Sequence, residues 1–373
     1  MRLLFILLIA CLSSCSEKRK SSELLMINLD EISYEPMDIS AVADSVIYIQ
    51  FDNSFILPGF VSLYWADSCF FANTREGVLK YDIKGCFLQK IGGLGDGPKE
   101  YPRYSYRCIM DKSNEVIYIY VYSEQKLLSY SFTGKFIKSV QVELPDVKIY
   151  FPSFAYMQDD LIYFYYDNNM GKSGKRPYYW LSIKKDGTFV ESYKGYKEIV
   201  EKYAGIYGIF YAAMNDSTVV YYDLFEDSIY HVTPHRSYAA YLWGQGNFRL
   251  LENDPFPTPP VERRICTHFF DTKNFFLFQV TNFNRQPDNV NFFVYYDKKN
   301  GEFAKIQKEE LLFDERINVP LFPRSLIQID GREYFICQTN TAALLNIPEA
   351  IPWGMDEDDL EGNPVLVLVR LKE

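Results

Sequence analysis

Apolar and polar residues alternate in short runs along most of this chain, with period two rather than the 3.6 of a helix. Four segments repeat one arrangement: an aromatic-rich run, a turn ending in glycine, one further residue, then phenylalanine and a second run. They are KYDIKGCFLQKI around Gly85 and Phe87, SYSFTGKFIKSV around Gly134 and Phe136, LSIKKDGTFVES around Gly187 and Phe189, and VYYDKKNGEFAKI around Gly301 and Phe303. Asp-Gly and Asn-Gly between alternating runs predict β-hairpins, because the turn needs residues that tolerate positive φ. The glycines are spaced by 49, 53 and 114 residues, the last being about two periods. DSIYHVTPHRS, with Pro234 in place of the glycine, supplies the missing member.

A repeat near 50 residues with several strands in each predicts a β-propeller. At this spacing the length gives six blades; seven or eight at about 40–45 residues each would fit the length but not the glycines. SVIYIQF (Ser45–Phe51) stands as an isolated strand before the first repeat, and PVLVLVRLK (Pro364–Lys372) as another after the last. Pairing them in one blade would close the ring and remove its open edges. The expected fold is therefore all-β, a six-bladed β-propeller over residues 41–373, closed by its N-terminal and C-terminal strands. The one helical expectation is a short helix in KGYKEIVEKYAG (Lys194–Gly205).

One stretch, IGGLGDGPKEYP (Ile91–Pro102), looks at first like a phosphate-binding loop. A dinucleotide loop needs its glycines to open a helix whose N–H groups hold the phosphates. Here Pro98 and Pro102 follow at once, KEYPRYSYRC has no helical apolar face, and the Gly-Lys-Ser/Thr of a P-loop is missing. The glycines read instead as a crossing between blades.

The N-terminus changes the picture of where the protein works. Arg2 precedes a ten-residue apolar run, Leu3–Leu12, which has the length of a secretory h-region and is too short to span a bilayer. Leu12-Ser13-Ser14-Cys15 has the form of a lipoprotein processing site, with Cys11 as a rival that leaves too short an h-region. The expected organisation is a signal peptide over 1–14, then lipidated Cys15 and a tether over 15–40. The tether has no acidic cluster after Cys15, which favours the periplasmic side of the outer membrane over the cell surface.

Composition narrows the partners. The net charge of −10 disfavours sequence-independent nucleic-acid binding. Aromatic residues make up 17% of the chain, which suits a large β-rich core. Cys69, Cys86, Cys108, Cys266 and Cys337 are odd in number and contain no CxxC, so they signal neither a disulfide framework nor a zinc site.

FLQKIGGLGDGPKEYPRY resembles the G-x-G-x-GP-x-EY signature of the six-bladed β-propeller lipoproteins of Bacteroides-type bacteria. Gly95, Gly97, Pro98, Glu100 and Tyr101 match, and Lys99 stands where that family often has glycine. DSIYHVTPHRSYAAYLWG resembles the family's D-x-I-Y blade ending in an aromatic-Gly pair, and EDDLEGNPVLVLVRLK its acidic loop, Asn-Pro and closing strand. The resemblance covers the whole mature chain. It implies the propeller fold with NHL-like repeats and a lipid anchor in the cell envelope; it implies no chemistry for individual residues.

Candidate function follows from the strands expected to line the central channel. These are PRYSYRCIM, YFPSFAYM, YGIFYAAM, RICTHFFD and LFPRSLIQ. They offer Arg103, Tyr104, Arg107, Tyr207, His268 and Arg324, with Tyr150 nearby and Asp271 as a lone carboxylate at one end. Arginine forks suit carboxylate or sulfate, and tyrosine faces suit a sugar ring or peptide. The expectation is a non-enzymatic envelope module for an anionic glycan, a peptide or a protein partner. The alternative is a propeller hydrolase or lactonase with a divalent metal in the channel. Calcium is the one cofactor to consider, and it would need convergent carboxylates that these strands lack. The acidic run Asp356–Asn363 lacks EF-hand spacing, and His231 and His235, with Pro234 between them, form no helical metal pair. The prolines of NDPFPTPPVERR (Asn253–Arg264) mark an extended connection between blades.

Overall fold

The computed structural model describes residues 24–373 apart from 56, 58–61, 146–151, 167–177, 195–208, 213–217, 252, 256–258, 284–289 and 345–361. The expected Cys15 anchor, Cys11, Tyr150, Tyr207, nearly all of the predicted helix and most of the acidic run lie outside the described residues.

The chain forms a β-propeller arrangement of antiparallel meanders. Sheet one comprises Ser62–Ala66, Cys69–Thr74, Gly77–Asp82 and Phe87–Ile91. Sheet two comprises Tyr106–Asp111, Val116–Val121, Lys126–Ser131 and Phe136–Gln141, and sheet three Phe154–Gln158, Leu161–Tyr165, Tyr178–Lys184 and Phe189–Lys194. Sheet four comprises Ile209–Ala212, Val219–Tyr222, Ser228–Val232 and Ser237–Trp243, with Leu25–Ile27 added in parallel at its outer edge. Sheet five comprises Arg264–Asp271, Phe275–Asn282, Asn291–Asp297 and Phe303–Gln307. Sheet six comprises Ser325–Ile329, Arg332–Thr339 and Val365–Leu371, with Ala43–Gln50 antiparallel to the last of these.

The count of six is corrected to seven sheets of three or more strands among the described residues. The additional one joins Met37–Asp38, Leu311–Asp314 and Val319–Pro320. Its strands are too short to show alternation, and it lacks the Gly-x-Phe turn that marks sheets one, two, three and five. From residue 25 on, the N-terminal segment lies along outer edges: Leu25–Ile27 on Tyr241–Trp243, Tyr34 bridged to Lys305, and Met37–Asp38 on Leu311–Phe313. Edge strands left open are templates for aggregation, and this segment covers them.

Six hydrophobic clusters hold the sheets together, each drawn mainly from two neighbours. They join sheets one and two, two and three, three and four, four and five, five and six, and finally six and one. The aromatic content becomes cross-strand rows. In sheet one, Trp65 stacks on its partner Phe70 at 5.4 Å, and Phe70 on its partner Tyr81 at 5.6 Å.

The repeated glycines form joints between sheets. Gly85 and Gly187 both have positive φ, and a Cβ on either would overlap a carbonyl oxygen of the preceding sheet, Gln50 O and Gln141 O respectively. Their own carbonyls accept from Asp52 N–H and Glu143 N–H, each at 3.0 Å. The Asn-Pro motif forms a second joint. Asn363 Oδ1 accepts from Leu57 N–H at 2.6 Å, and its Nδ2 donates to Asp52 O at 2.7 Å and Phe55 O at 2.6 Å. Its backbone oxygen accepts from Gln50 Nε2 and Thr341 Oγ1.

Candidate functional site

In each meander, the loop between strands two and three and the crossing to the next sheet leave from the same end. That end carries Arg103, Tyr104, Arg324 and the start of every innermost strand. The opposite end carries the glycine turns.

The glycine-rich crossing binds its own side chain. Gly97 N–H donates to Glu100 Oε2 at 3.0 Å, and a Cβ at Gly95 would strike the same carboxylate. Tyr101 OH donates to Ile91 O at 2.7 Å and accepts from Val78 N–H, while Gly93–Leu94 pairs in parallel with Glu100–Tyr101. Where a nucleotide loop would hold phosphate, this one holds Glu100. The family signature is therefore a self-contained crossing.

The candidate residues separate into three groups. Arg107 is a strut: its Nε donates to Pro152 O at 2.6 Å and its NH1 to Tyr106 O at 3.1 Å, which ties sheet two to the crossing before sheet three. Arg103 reaches Glu76 at 3.9 Å, with half its side chain exposed. Tyr104 is 68% exposed, and its backbone oxygen accepts from Tyr122 OH, whose ring lies under Arg107.

His268 and Arg324 come together. His268 sits in a bulge of the innermost strand of sheet five, where the register slips between Thr267 and Phe270, and its φ is +50°. A non-glycine residue in this left-handed region costs about 1–3 kcal/mol and persists only where its surroundings enforce it. Its Nδ1 lies 3.2 Å from Thr267 Oγ1, which donates to Gln279 Oε1 at 3.1 Å; Gln279 Nε2 donates to Asn291 Oδ1 at 2.6 Å. His268 keeps a solvent-exposed edge, yet the protein packed around the ring pushes its pKa below the ordinary histidine value. The Arg324 and Lys308 charges push it further the same way. Arg324 is exposed, and its guanidinium makes no hydrogen bond or ion pair among the described residues. Lys308 lies over the Phe322 ring at 5.1 Å.

Asp271, which ends its innermost strand as Asp111 ends that of sheet two, faces the glycine-turn end and serves as a latch between sheets. His231 Nε2 lies 2.8 Å from its Oδ2, Lys298 Nζ lies 2.5 Å from its Oδ1, and Tyr241 OH donates to it at 3.3 Å. Burial alone would raise its pKa, but His231 and Lys298 hold it below the usual carboxylate range. Sequence spacing set His231 beside His235, whereas the sheet pairs it with a residue forty positions away. In the proline-rich connection, Arg263 forks onto Asp254 at 2.7 and 3.1 Å.

Among the described residues no group of three or more His, Cys, Asp and Glu could hold a metal ion. The five described cysteines are free, with Cys86 exposed and the others buried. No described helix is long and apolar enough to cross a membrane.

Comparison with known proteins bears on the fold. A candidate exported protein of Bacteroides fragilis NCTC 9343 is 13% identical with a TM-score of 0.61, over 94% of this chain and all of that one. A member of the DUF4221 family from Bacteroides vulgatus ATCC 8482 is also 13% identical, with a TM-score of 0.47 over 89% and 97%. A search of curated proteins finds no match. The family model of DUF4934, a domain of unknown function, matches residues 24–370, and the chain belongs to that family.

Proposed function

We propose that this protein is an exported, lipid-anchored propeller module that binds an anionic ligand, a glycan or peptide carrying carboxylate or sulfate, at the crossing end of its innermost strands. The observation that carries the reading is Arg324, an exposed guanidinium without a described partner, beside a histidine held in a strained bulge. In a protein of net charge −10, a cation left uncompensated beside another suppressed cation is a costly arrangement that an anion relieves. The six clusters running from sheet to sheet, together with the Ala43–Gln50 to Val365–Leu371 pairing, support a ring closed by its two ends. The Leu3–Leu12 run ahead of Cys15 supports export and lipidation, and the candidate exported neighbour agrees with export.

The test is calorimetric titration of the soluble chain from Ser16 with trigalacturonate and with a sulfated trisaccharide. R324E should weaken binding at least about tenfold, as loss of one charge-assisted hydrogen bond implies. Affinity for the wild-type chain should rise as pH is taken below the ordinary histidine value of about 6.5, because protonating His268 adds a second positive charge beside Arg324. Unchanged binding by R324E would remove the site assignment.

A further inference from the structure

A second site lies between sheets four and five, where the D-x-I-Y and aromatic-Gly elements meet. Asp227 opens the third strand of sheet four and Trp243 closes the fourth, and Trp243 N–H donates to Asp227 O at 2.9 Å. Gly244–Gly246 then turns the chain back so that Arg249 stands over Asp227. Phe248 stacks on the Trp243 indole at 5.8 Å, and Tyr222 meets the same indole edge-on at 6.0 Å. All of these residues sit at the crossing end.

The polar groups here are left incomplete. Asp227 is only 7% exposed and Trp243 fully buried, yet Asp227 Oδ1 and Trp243 Nε1 have no hydrogen-bond partner, and neither has the buried Arg249 Nε or the Tyr222 OH. The nearest approach of Arg249 to Asp227 is 4.0 Å, too long for a hydrogen bond. Leaving a buried polar group unsatisfied costs about 1–3 kcal/mol, so four in one corner call for a missing partner. Burial raises the Asp227 pKa, with the Arg249 charge and a hydrogen bond from Gly246 N–H opposing it only in part.

The chemistry of that partner follows from these groups. Trp243 Nε1 and Arg249 Nε can only donate, the Asp227 carboxylate oxygen accepts, and the Tyr222 OH can do either. Their complement is a group with two acceptor lone pairs and one donated hydrogen, which describes a hydroxyl. An anion would meet Asp227, and an ammonium would offer nothing to the two donors. We propose that Asp227, Trp243 and Arg249 form a subsite for a hydroxyl of a neutral polyhydroxylated ligand, a sugar, entered from the half-exposed Arg249 side.

The test follows the Trp243 indole N–H by heteronuclear NMR, its peak assigned with W243F. The probes are glucose, galactose, mannose, xylose, maltotriose and xylotriose, with glycerol as the minimal polyol. We expect a saturable shift with at least one sugar, weakened about tenfold by D227N and by R249A. R249A alters a half-exposed side chain and keeps the test usable should D227N fail to fold. R324E should leave this shift unchanged, so failure here and failure of the anion site are separable. No shift with any sugar, a shift that R249A leaves intact, or an indole proton that stays in contact with one bound water at sugar saturation would each overturn the proposal.

Discussion

Gly85 and Gly187 show why the repeat carries glycine at its turn. Positive φ alone would penalise a side chain there, but the heavier constraint is the neighbouring sheet, whose carbonyl occupies the place of a Cβ. Gly301 has the same sign of φ and nothing within 4 Å of its Cβ position. Replacing Gly301 with Ala should therefore cost about 1 kcal/mol, and G85A or G187A at least about 3 kcal/mol, read by urea denaturation. Equal costs at the three positions would mean that the joint between sheets is not what the glycine serves. The turns were legible in the sequence because Gly-x-Phe repeats. Their reason was not, because the clashing oxygens lie some 35 to 46 residues away. The candidate arginines divide for a similar cause. Arg107 and Arg324 look alike in sequence, but only the fold brings Pro152 O to Arg107 and leaves Arg324 with no described partner.

At the scale of elements, alternation placed the strands and missed what crosses between them. The five segments assigned to the channel contain the first strands of sheets two to six, since each follows a crossing and begins an apolar run. The seventh sheet and the docked residues 25–38 were illegible because their pairing is with strands almost 220 to 275 positions distant. Asp271 belongs to this class, as it joins sheet five to His231 of sheet four. Its pKa is lowered in the folded state, so its contribution is present above the ordinary carboxylate value of about 3.9 and is lost as pH falls through the lower folded value. D271N should destabilise the protein by about 1–3 kcal/mol at pH 7, because it takes the charged acceptor from the partly buried Lys298 ammonium. The gap from wild type should narrow as pH is taken below 3.9 in urea denaturation series. A gap that stays constant with pH would rule out the charged latch.

The whole molecule presents two unlike ends. One holds glycine joints and the Asp271 latch, where sheets are tied to each other. The other holds Arg324 and the incomplete corner at Asp227, where polar groups remain for something else. Sequence read the all-β repeat, and it grouped His268 with Arg324 by placing both on channel strands. Asp227 it read only as a blade marker, because one aspartate in a repeated motif carries no sign of what its carboxylate lacks. The claim that the crossing end is the working surface is tested most directly by hydrogen–deuterium exchange of the chain from Ser16, with and without saturating trigalacturonate. Protection concentrated at 264–271 and 321–326, with little change at the turns around Gly85, Gly134 and Gly301, is the result expected. Protection at those turns, or none at 264–271 and 321–326 while the ligand is bound, would contradict it.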